Sequence, residues 1–450
     1  MLSSWGDAAR IDDKLTSIVL DVQRSVLNYT ESYENRLTNK EGWQLKEFDK
    51  PILQASLNIV EKTRSNLFAW RGQFSPQLIE VILSSYCLPN SVILDPFAGS
   101  GTVLLEAGTF IFEAYGFEIN PAAWILSRTY EFINNSQRTE VIKKVRDKID
   151  REFSVKIFEN SSPDLAEIVR DIKSELDEES IKIFDALVIL IDIANNSITN
   201  DFIQTKLTDL INVIEKFPYS ERQIRVGLSD ARCLPLKDNQ IDFVVTSPPY
   251  INVFNYHQNY RKSAEILGWD LLKIAKSEIG SNRANRGNRF YTVVQYCLDM
   301  ADILRELSRV TKYDARIIFV VGHESNVLEV PFYNADIIEN LAVKSGLFQK
   351  VLRQNRKFKN KFGKIIREEI INFRNLKYKC HREITEQIAR EIAFEVLNNG
   401  LTLVSSKNIK YLEDAIEKAQ DIGKTITLDK KYHIYQPYQS VPVANPTPSK

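Results

Sequence analysis

The chain has 450 residues, 44% of them hydrophobic, enough to bury a large core and to carry more than one module. Lys plus Arg and Asp plus Glu both number 59, so no global field draws the protein to a polyanion, and any basic surface must be local. Cys87, Cys233, Cys297 and Cys380 lie far apart and form no C-x-x-C pair, which argues against zinc and against a disulfide framework and fits a reducing cytoplasm. The first residues, Met1 to Asp7, lack a basic stretch followed by an apolar one, and no apolar run of about 18 residues occurs, so neither secretion nor membrane insertion is expected.

Residues 1–65 place Leu15, Ile18, Val19, Val22 and Val26 at loosely helical spacing and carry no recognisable chemistry, a helical N-terminal extension. In the segment Phe68 to Ile79, Ser75 caps and Pro76 opens a helix that ends near Cys87. The apolar run Val92-Ile93-Leu94 then leads into Asp95-Pro96-Phe97-Ala98-Gly99-Ser100-Gly101-Thr102, a buried strand, a glycine turn and a helix start. Two glycines one residue apart let the backbone approach a ligand closely, and the helix offers it free N–H groups. A dinucleotide fingerprint would need a small residue at Leu104, and a phosphate loop would need a Gly-Lys-Ser/Thr that is absent.

A second strand, Ala114 to Phe117, ends at Glu118, about twenty residues past the glycines. An acid at the tip of that strand can accept from both hydroxyls of a ribose; the plain alternative is a surface glutamate. Residues 131–222 turn helical and locally acidic, with Asp171, Glu175, Asp177, Glu178 and Glu179 close together, an inserted helical subdomain whose negative face is expected to avoid phosphates. The core pattern resumes with Ile224 to Leu228, a strand leading to Asp230, and with Ile241 to Val245, a strand running into Thr246-Ser247-Pro248-Pro249-Tyr250. The loop Ser281 to Arg289 spaces arginines with small polar residues, suited to nucleic-acid contacts or to plain solvation. Helical spacing from Tyr296 to Val310 precedes the strand Arg316 to Gly322, and Phe348 to Leu352 and Glu369 to Phe373 read as closing strands. Arg353, Arg356, Lys357, Lys359, Lys361, Lys364, Arg367, Arg374, Lys377, Lys379 and Arg382 make one plainly basic region, expected to contact phosphates. A helical stretch, 383–420, and a Pro-rich tail finish the chain.

In their order, Asp95 to Thr102, Glu118, Asp230 and Thr246 to Tyr250 resemble the motifs of S-adenosylmethionine-dependent DNA amino-methyltransferases, the enzymes that methylate cytosine N4 or adenine N6. The resemblance covers about 68–375 without the helical insertion. It implies an α/β fold, the Rossmann-like class I methyltransferase sheet, with an inserted helical subdomain and helical terminal extensions. Its divisions are 1–65, a cofactor-binding half 66–130, the insertion 131–222, a catalytic half 223–375 with a candidate target-recognition loop 265–292, and a basic, helical extension with a tail, 376–450. The implied cofactor is S-adenosyl-L-methionine, held by Asp95, Phe97, Ala98, Gly99, Gly101, Thr102, Glu118 and Asp230, the last accepting from the adenine amino group. A Phe-Ser-Pro segment such as Phe74-Ser75-Pro76 often closes over that cofactor in the family; a simple packing helix is the alternative. No metal is implied.

An exocyclic amino group is a poor nucleophile because its lone pair is delocalised into the ring, and acceptors for its N–H groups both localise and aim that pair. Ser247 and the Pro248 carbonyl can accept, Pro248 and Pro249 stiffen the loop, and Tyr250 would stack on a base taken out of the duplex. Thr-Ser-Pro-Pro-Tyr is typical of family members acting on cytosine N4, and Asp-Pro-Pro-Tyr is commoner for adenine N6. Double-stranded DNA is the expected partner, with a cognate restriction endonuclease as a candidate second one, and a cytoplasmic, non-membrane setting. The order, cofactor half first, departs from the arrangement most familiar in N4-cytosine enzymes. It also resembles that of transfer-RNA guanine-N2 methyltransferases, which usually carry aspartate at the Ser247 position and an RNA-binding domain not found in this chain. A catalytically silent protein on the same fold is the remaining alternative, against which the intact Ser247 to Tyr250 argues.

Overall fold

The computed structural model describes residues 47, 49–59, 64–70, 72–153, 164–252, 256–281, 285, 287–359 and 363–435. Most of the N-terminal extension, Arg283 and Arg286 of the recognition loop, Lys361 and the Pro-rich tail lie outside them.

Nine strands occur among the described residues: β1 Val92–Asp95, β2 Glu113–Glu118, β3 Ile224–Leu228, β4 Ile241–Thr246, β5 Thr311–Gly322, β6 Ser325–Val327, β7 Val330–Phe332, β8 Phe348–Lys359 and β9 Ile365–Asn375. Seven of them form one sheet in the order β3-β2-β1-β4-β5-β9-β8, while β6 and β7 pair as a separate ribbon. Neighbours from β3 to β5 run parallel; β9 is antiparallel to both β5 and β8. The central strands are short apolar runs because both faces are covered, as a parallel sheet requires. The strand order reverses between β1 and β4, so their carboxyl ends diverge into a crevice, the position where open α/β sheets bind ligands.

One face of the sheet is covered by the helices Pro76–Tyr86, Thr102–Thr109 and Pro121–Arg128 and, beyond them, by the inserted helices Arg138–Lys148, Leu165–Ser174, Glu178–Ile191 and Asn200–Glu215. Phe184, Leu187, Leu207 and Ile211 of the insertion belong to the same buried cluster as Leu104 and Trp124, so the insertion is an outer layer of the core. The acidic run in this insertion is not a bare negative face. Asp177 accepts from Ser180 N at its helix start and pairs with Lys144 at 3.2 Å, Lys148 pairs with Glu175, and Glu179 with Lys182 at 2.5 Å. Lysines of neighbouring turns pair with three of the five acids, so the run is partly neutralised.

The other face carries Tyr291–Val310, Asn334–Lys344, Arg382–Gly400 and Ile409–Glu417. Ala389, Ile392, Leu397, Leu412 and Ala415 are buried there, so the residues after 376 complete a core layer rather than extending from it. The chain then returns to the sheet edge, where Ile434 exchanges backbone hydrogen bonds with Leu228 of β3 at 2.8 and 2.9 Å, and Tyr435 packs on Phe117. No helix among the described residues is long and apolar enough to cross a membrane.

Candidate active site

β1 ends at Asp95, where the chain turns through Pro96 to Gly101 and starts the helix Thr102–Thr109. Gly99 and Gly101 both have left-handed backbone, φ 53° and 91°, a region that costs any other residue. A Cβ on Gly101 would stand 2.6 Å from the Tyr130 ring, so this glycine is required by packing beneath the turn. The turn is fixed by Ala98 N donating to Phe117 O at 2.9 Å, by Gly101 N donating to Ala98 O at 2.8 Å, and by Gly99 N donating to the Glu118 carboxylate at 2.9 Å.

Above the carboxyl ends of β1 and β4 lies a cavity. Its walls are Phe97, Ala98, Gly99 and Thr102 from the turn, Glu118 to Asn120 from the end of β2, Ser229 to Ala231 from the end of β3, and Ser247 and Pro249 from the loop after β4. Trp70 and Gly72 to Phe74 close one side, and Tyr256 and Ser277 to Ile279 another. Six of the eight residues expected to hold the cofactor therefore line one cavity, while Asp95 and Gly101 lie behind it.

Asp95 is 1% exposed and accepts from Thr246 Oγ1 at 2.6 Å and from Phe97 N at 3.1 Å. Burial pushes its carboxyl up to about 7. The side chain braces β1 against β4 and is not presented to a ligand, which corrects its placement among the cofactor contacts. Asp230 lines the cavity, but four donors fill its acceptor sites: Arg232 N and Nε at 3.0 and 2.9 Å on one oxygen, Arg232 Nη2 and Leu428 N at 2.7 and 3.0 Å on the other. An adenine amino group would have to compete with these donors for the carboxylate. Glu118 is different. Its carboxylate accepts from Gly99 N, Ile119 N and Asn120 N, each at 2.9 Å, which leaves one acceptor site for the cavity. Removal from water pushes this carboxyl up to about 7, against the pull of the three amides.

At the end of β4, Ser247 Oγ stands 3.5 Å from the Tyr250 hydroxyl. Pro248 is buried behind the cavity wall. The Tyr250 ring lies on Gly322 at the end of β5, where a Cβ would come within 3.0 Å of it. Tyr250 thus flanks the serine with one face already packed. Burial is the main cause that raises its hydroxyl pKa.

No motif in the chain singles out Asn120, Tyr256 or Glu278. Asn120 is 2% exposed; its Oδ1 caps the helix Pro121–Arg128 through Ala122 N at 3.0 Å, and its Nδ2 has no partner. A buried donor without a partner on a cavity wall is what a ligand rich in ring nitrogens and carboxylate oxygens would satisfy. With the remaining acceptor site of Glu118 and the apolar side chains of Phe97 and Ile119, the residues present fit S-adenosylmethionine. The signal that could have found Asn120 was its place directly after the acid-bearing strand and before Pro121.

The basic region resolves into the β8–β9 hairpin and its sequel, and much of it is spent internally. Arg353 pairs with Asp336 at 2.7 Å and with Glu339 and Glu369, Arg374 pairs with Asp314, and Lys377 Nζ donates to Ser308 O at 2.6 Å. Arg356 is 3% exposed, pairs with Glu368 at 3.4 Å and lies over the Phe358 ring. Arg353 and Arg356 are therefore structural and not phosphate contacts, which corrects the reading of the whole stretch as a phosphate-binding surface; Lys357, Lys359, Lys364 and Arg367 remain exposed.

Residues 20–126 match the family model N6_N4_Mtase, DNA methylase, a span that includes the glycine turn and Glu118 and begins inside the segment read as an extension. The Type II methyltransferase M.MjaII of Methanocaldococcus jannaschii is 21% identical over 433 residues, covering 68% of this chain and 80% of that protein. Among solved structures, an S-adenosylmethionine-dependent methyltransferase from Methanosarcina mazei overlaps with a TM-score of 0.31 at 13% identity, covering 66% of this chain and 97% of the other. TrmN from Thermus thermophilus overlaps with a TM-score of 0.30 at 13% identity, covering 68% and 50%. Those overlaps are too slight to bear on the fold, which rests on the strand order. The glycine turn and Glu118 thus lie in a stretch similar to a DNA methylase family model, and most of the chain is similar to a Type II methyltransferase.

Proposed function

We propose that the protein methylates N4 of cytosine in a specific sequence of duplex DNA, with the target base turned out into the loop Ser247 to Tyr250. The observation that carries this reading is the neutral hydroxyl of Ser247 on the cavity wall at the end of β4, beside the rigid Pro248-Pro249 pair. Ser247 Oγ and the Pro248 carbonyl would accept from the two N–H groups of the amino nitrogen, drawing its lone pair out of the ring and aiming it into the cavity. Tyr250, propped on Gly322, would give the base a surface to stack on.

S-Adenosylmethionine supplies a methyl group already activated by a positive sulfur. Glu118 would accept from its ribose, Asn120 Nδ2 would donate to it, and Phe97 and Ile119 would pack on it. As the nitrogen–carbon bond formed, the carbon–sulfur bond would break to leave the neutral thioether, and the amino nitrogen would lose one proton to solvent. No general base with a shifted pKa is needed, because positioning supplies the remaining catalysis.

The name of the relative, a Type II methyltransferase, supports a restriction-modification setting with a companion nuclease. Mass spectrometry of nucleosides from DNA treated with the purified protein and cofactor tests the base assignment. N4-methylcytosine is expected; N6-methyladenine would overturn the choice of base within the family.

A further inference from the structure

A second carboxylate, Glu278, also lines the cavity. It lies in the segment 277–279 of the cavity wall, is 7% exposed, and its Oε2 stands 3.2 Å from His257 Nδ1, itself 2% exposed. Its other oxygen has no hydrogen bond among the described residues. The backbone that carries it is held on both sides: Arg232 Nη2 donates to Ser277 O at 3.2 Å, and Glu278 N donates to Ala275 O at 3.4 Å. An acceptor on the cavity wall that carries no donor of the protein is open to one from the contents of the cavity.

Glu118 alone cannot serve a vicinal diol. Three of its four acceptor sites are filled by the amides of Gly99, Ile119 and Asn120, so one of two adjacent hydroxyls would be left without a partner. We propose that Glu278, oriented by His257, is the second acceptor for the cofactor's ribose, taking one hydroxyl while Glu118 takes the other. The inference rests on the reading that this cavity holds the cofactor.

Calorimetric titration of the full-length protein with S-adenosylhomocysteine and with its 2′-deoxy and 3′-deoxy analogues tests it. The wild type should bind the parent more tightly than either analogue. Glu278→Leu should weaken the parent about ten- to hundredfold, the range for a hydrogen bond to a charged group, and should abolish the penalty for one of the two missing hydroxyls. Glu118→Leu should abolish the penalty for the other. Glu278→Gln, which keeps an acceptor, should recover part of the loss. If melting shows that Glu278→Leu does not fold, His257→Phe releases the acid from its brace and should blunt the same hydroxyl's discrimination. A Glu278→Leu protein that loses the same factor for all three ligands, or none, while Glu118→Leu still weakens binding, would overturn the role of Glu278 alone. A wild type that binds none of the three ligands would overturn the cofactor reading and this inference with it.

Discussion

Glu118 shows how one residue carries both the architecture and the chemistry of the site. Its carboxylate ties the glycine turn to the end of β2, and its carboxyl, held up at about 7 by burial, is largely protonated below neutrality in the free protein. If the cavity holds the cofactor as proposed, ribose donors and a positive sulfur favour the charged form, so binding would lower this pKa and expel a proton. Cofactor affinity should therefore rise as pH passes upward through about 7. Titrations on the acid side of that value, in two buffers of different ionisation enthalpy, should reveal proton release, and Glu118→Gln should abolish it; a pH-independent affinity would assign the cofactor contact elsewhere. The acid's position is legible from its spacing past the glycines. That three amides consume most of its acceptor capacity is not, because those bonds depend on how the turn folds back over the strand.

Among the elements, the glycine turn is legible in the sequence as a turn but not as a set of contacts. Gly101 and Asp95 serve its packing: the first leaves room for the Tyr130 ring, the second joins β1 to Thr246 on β4. Gly101→Val combines a left-handed backbone with a 2.6 Å approach to a buried ring and should cost about 2–4 kcal/mol of stability, read by thermal melting together with loss of cofactor binding. Loss of binding at an unchanged melting temperature would contradict this and point to direct obstruction of the ligand. The β8–β9 hairpin teaches the same lesson about charge. Its cations stand out in the composition, but pairing partners such as Asp336, Asp314 and Glu368 come from elements distant in sequence or across the sheet, and only folding reveals them. Arg356→Ala should cost about 3 kcal/mol and leave the salt dependence of DNA binding unchanged, while Lys357→Ala with Lys359→Ala should flatten the slope by up to about 0.9 for each phosphate no longer neutralised. Binding measured from low to moderate salt separates the two; an unchanged slope in the double variant would leave these lysines as solvated surface.

Across the whole molecule, the alternation of strand and helix makes the sheet legible, and the reversal of strand order between β1 and β4 explains why motifs more than a hundred residues apart meet at one crevice. The C-terminal part is not legible in this way. Its apolar residues have ordinary helical spacing, and nothing local indicates that residues 425–435 return to the cofactor end of β3, where Thr425 O and Ile426 O accept from Arg232 and Leu428 N donates to Asp230. Ending the chain at Lys424 strips these partners from a buried ion pair beside the cavity and should lower both the melting temperature and cofactor affinity; a truncated protein that binds like the full chain would show the return to be dispensable. The central claim, that this crevice delivers a methyl group to an amino group of DNA held by Ser247, is tested most directly by methyl transfer from labelled S-adenosylmethionine to duplex DNA and to RNA, with wild type and Ser247→Ala side by side. The expected result is label in the bases of DNA, with most of the turnover abolished in Ser247→Ala at near wild-type cofactor affinity; label in RNA alone, or a Ser247→Ala protein as active as the wild type, would contradict it.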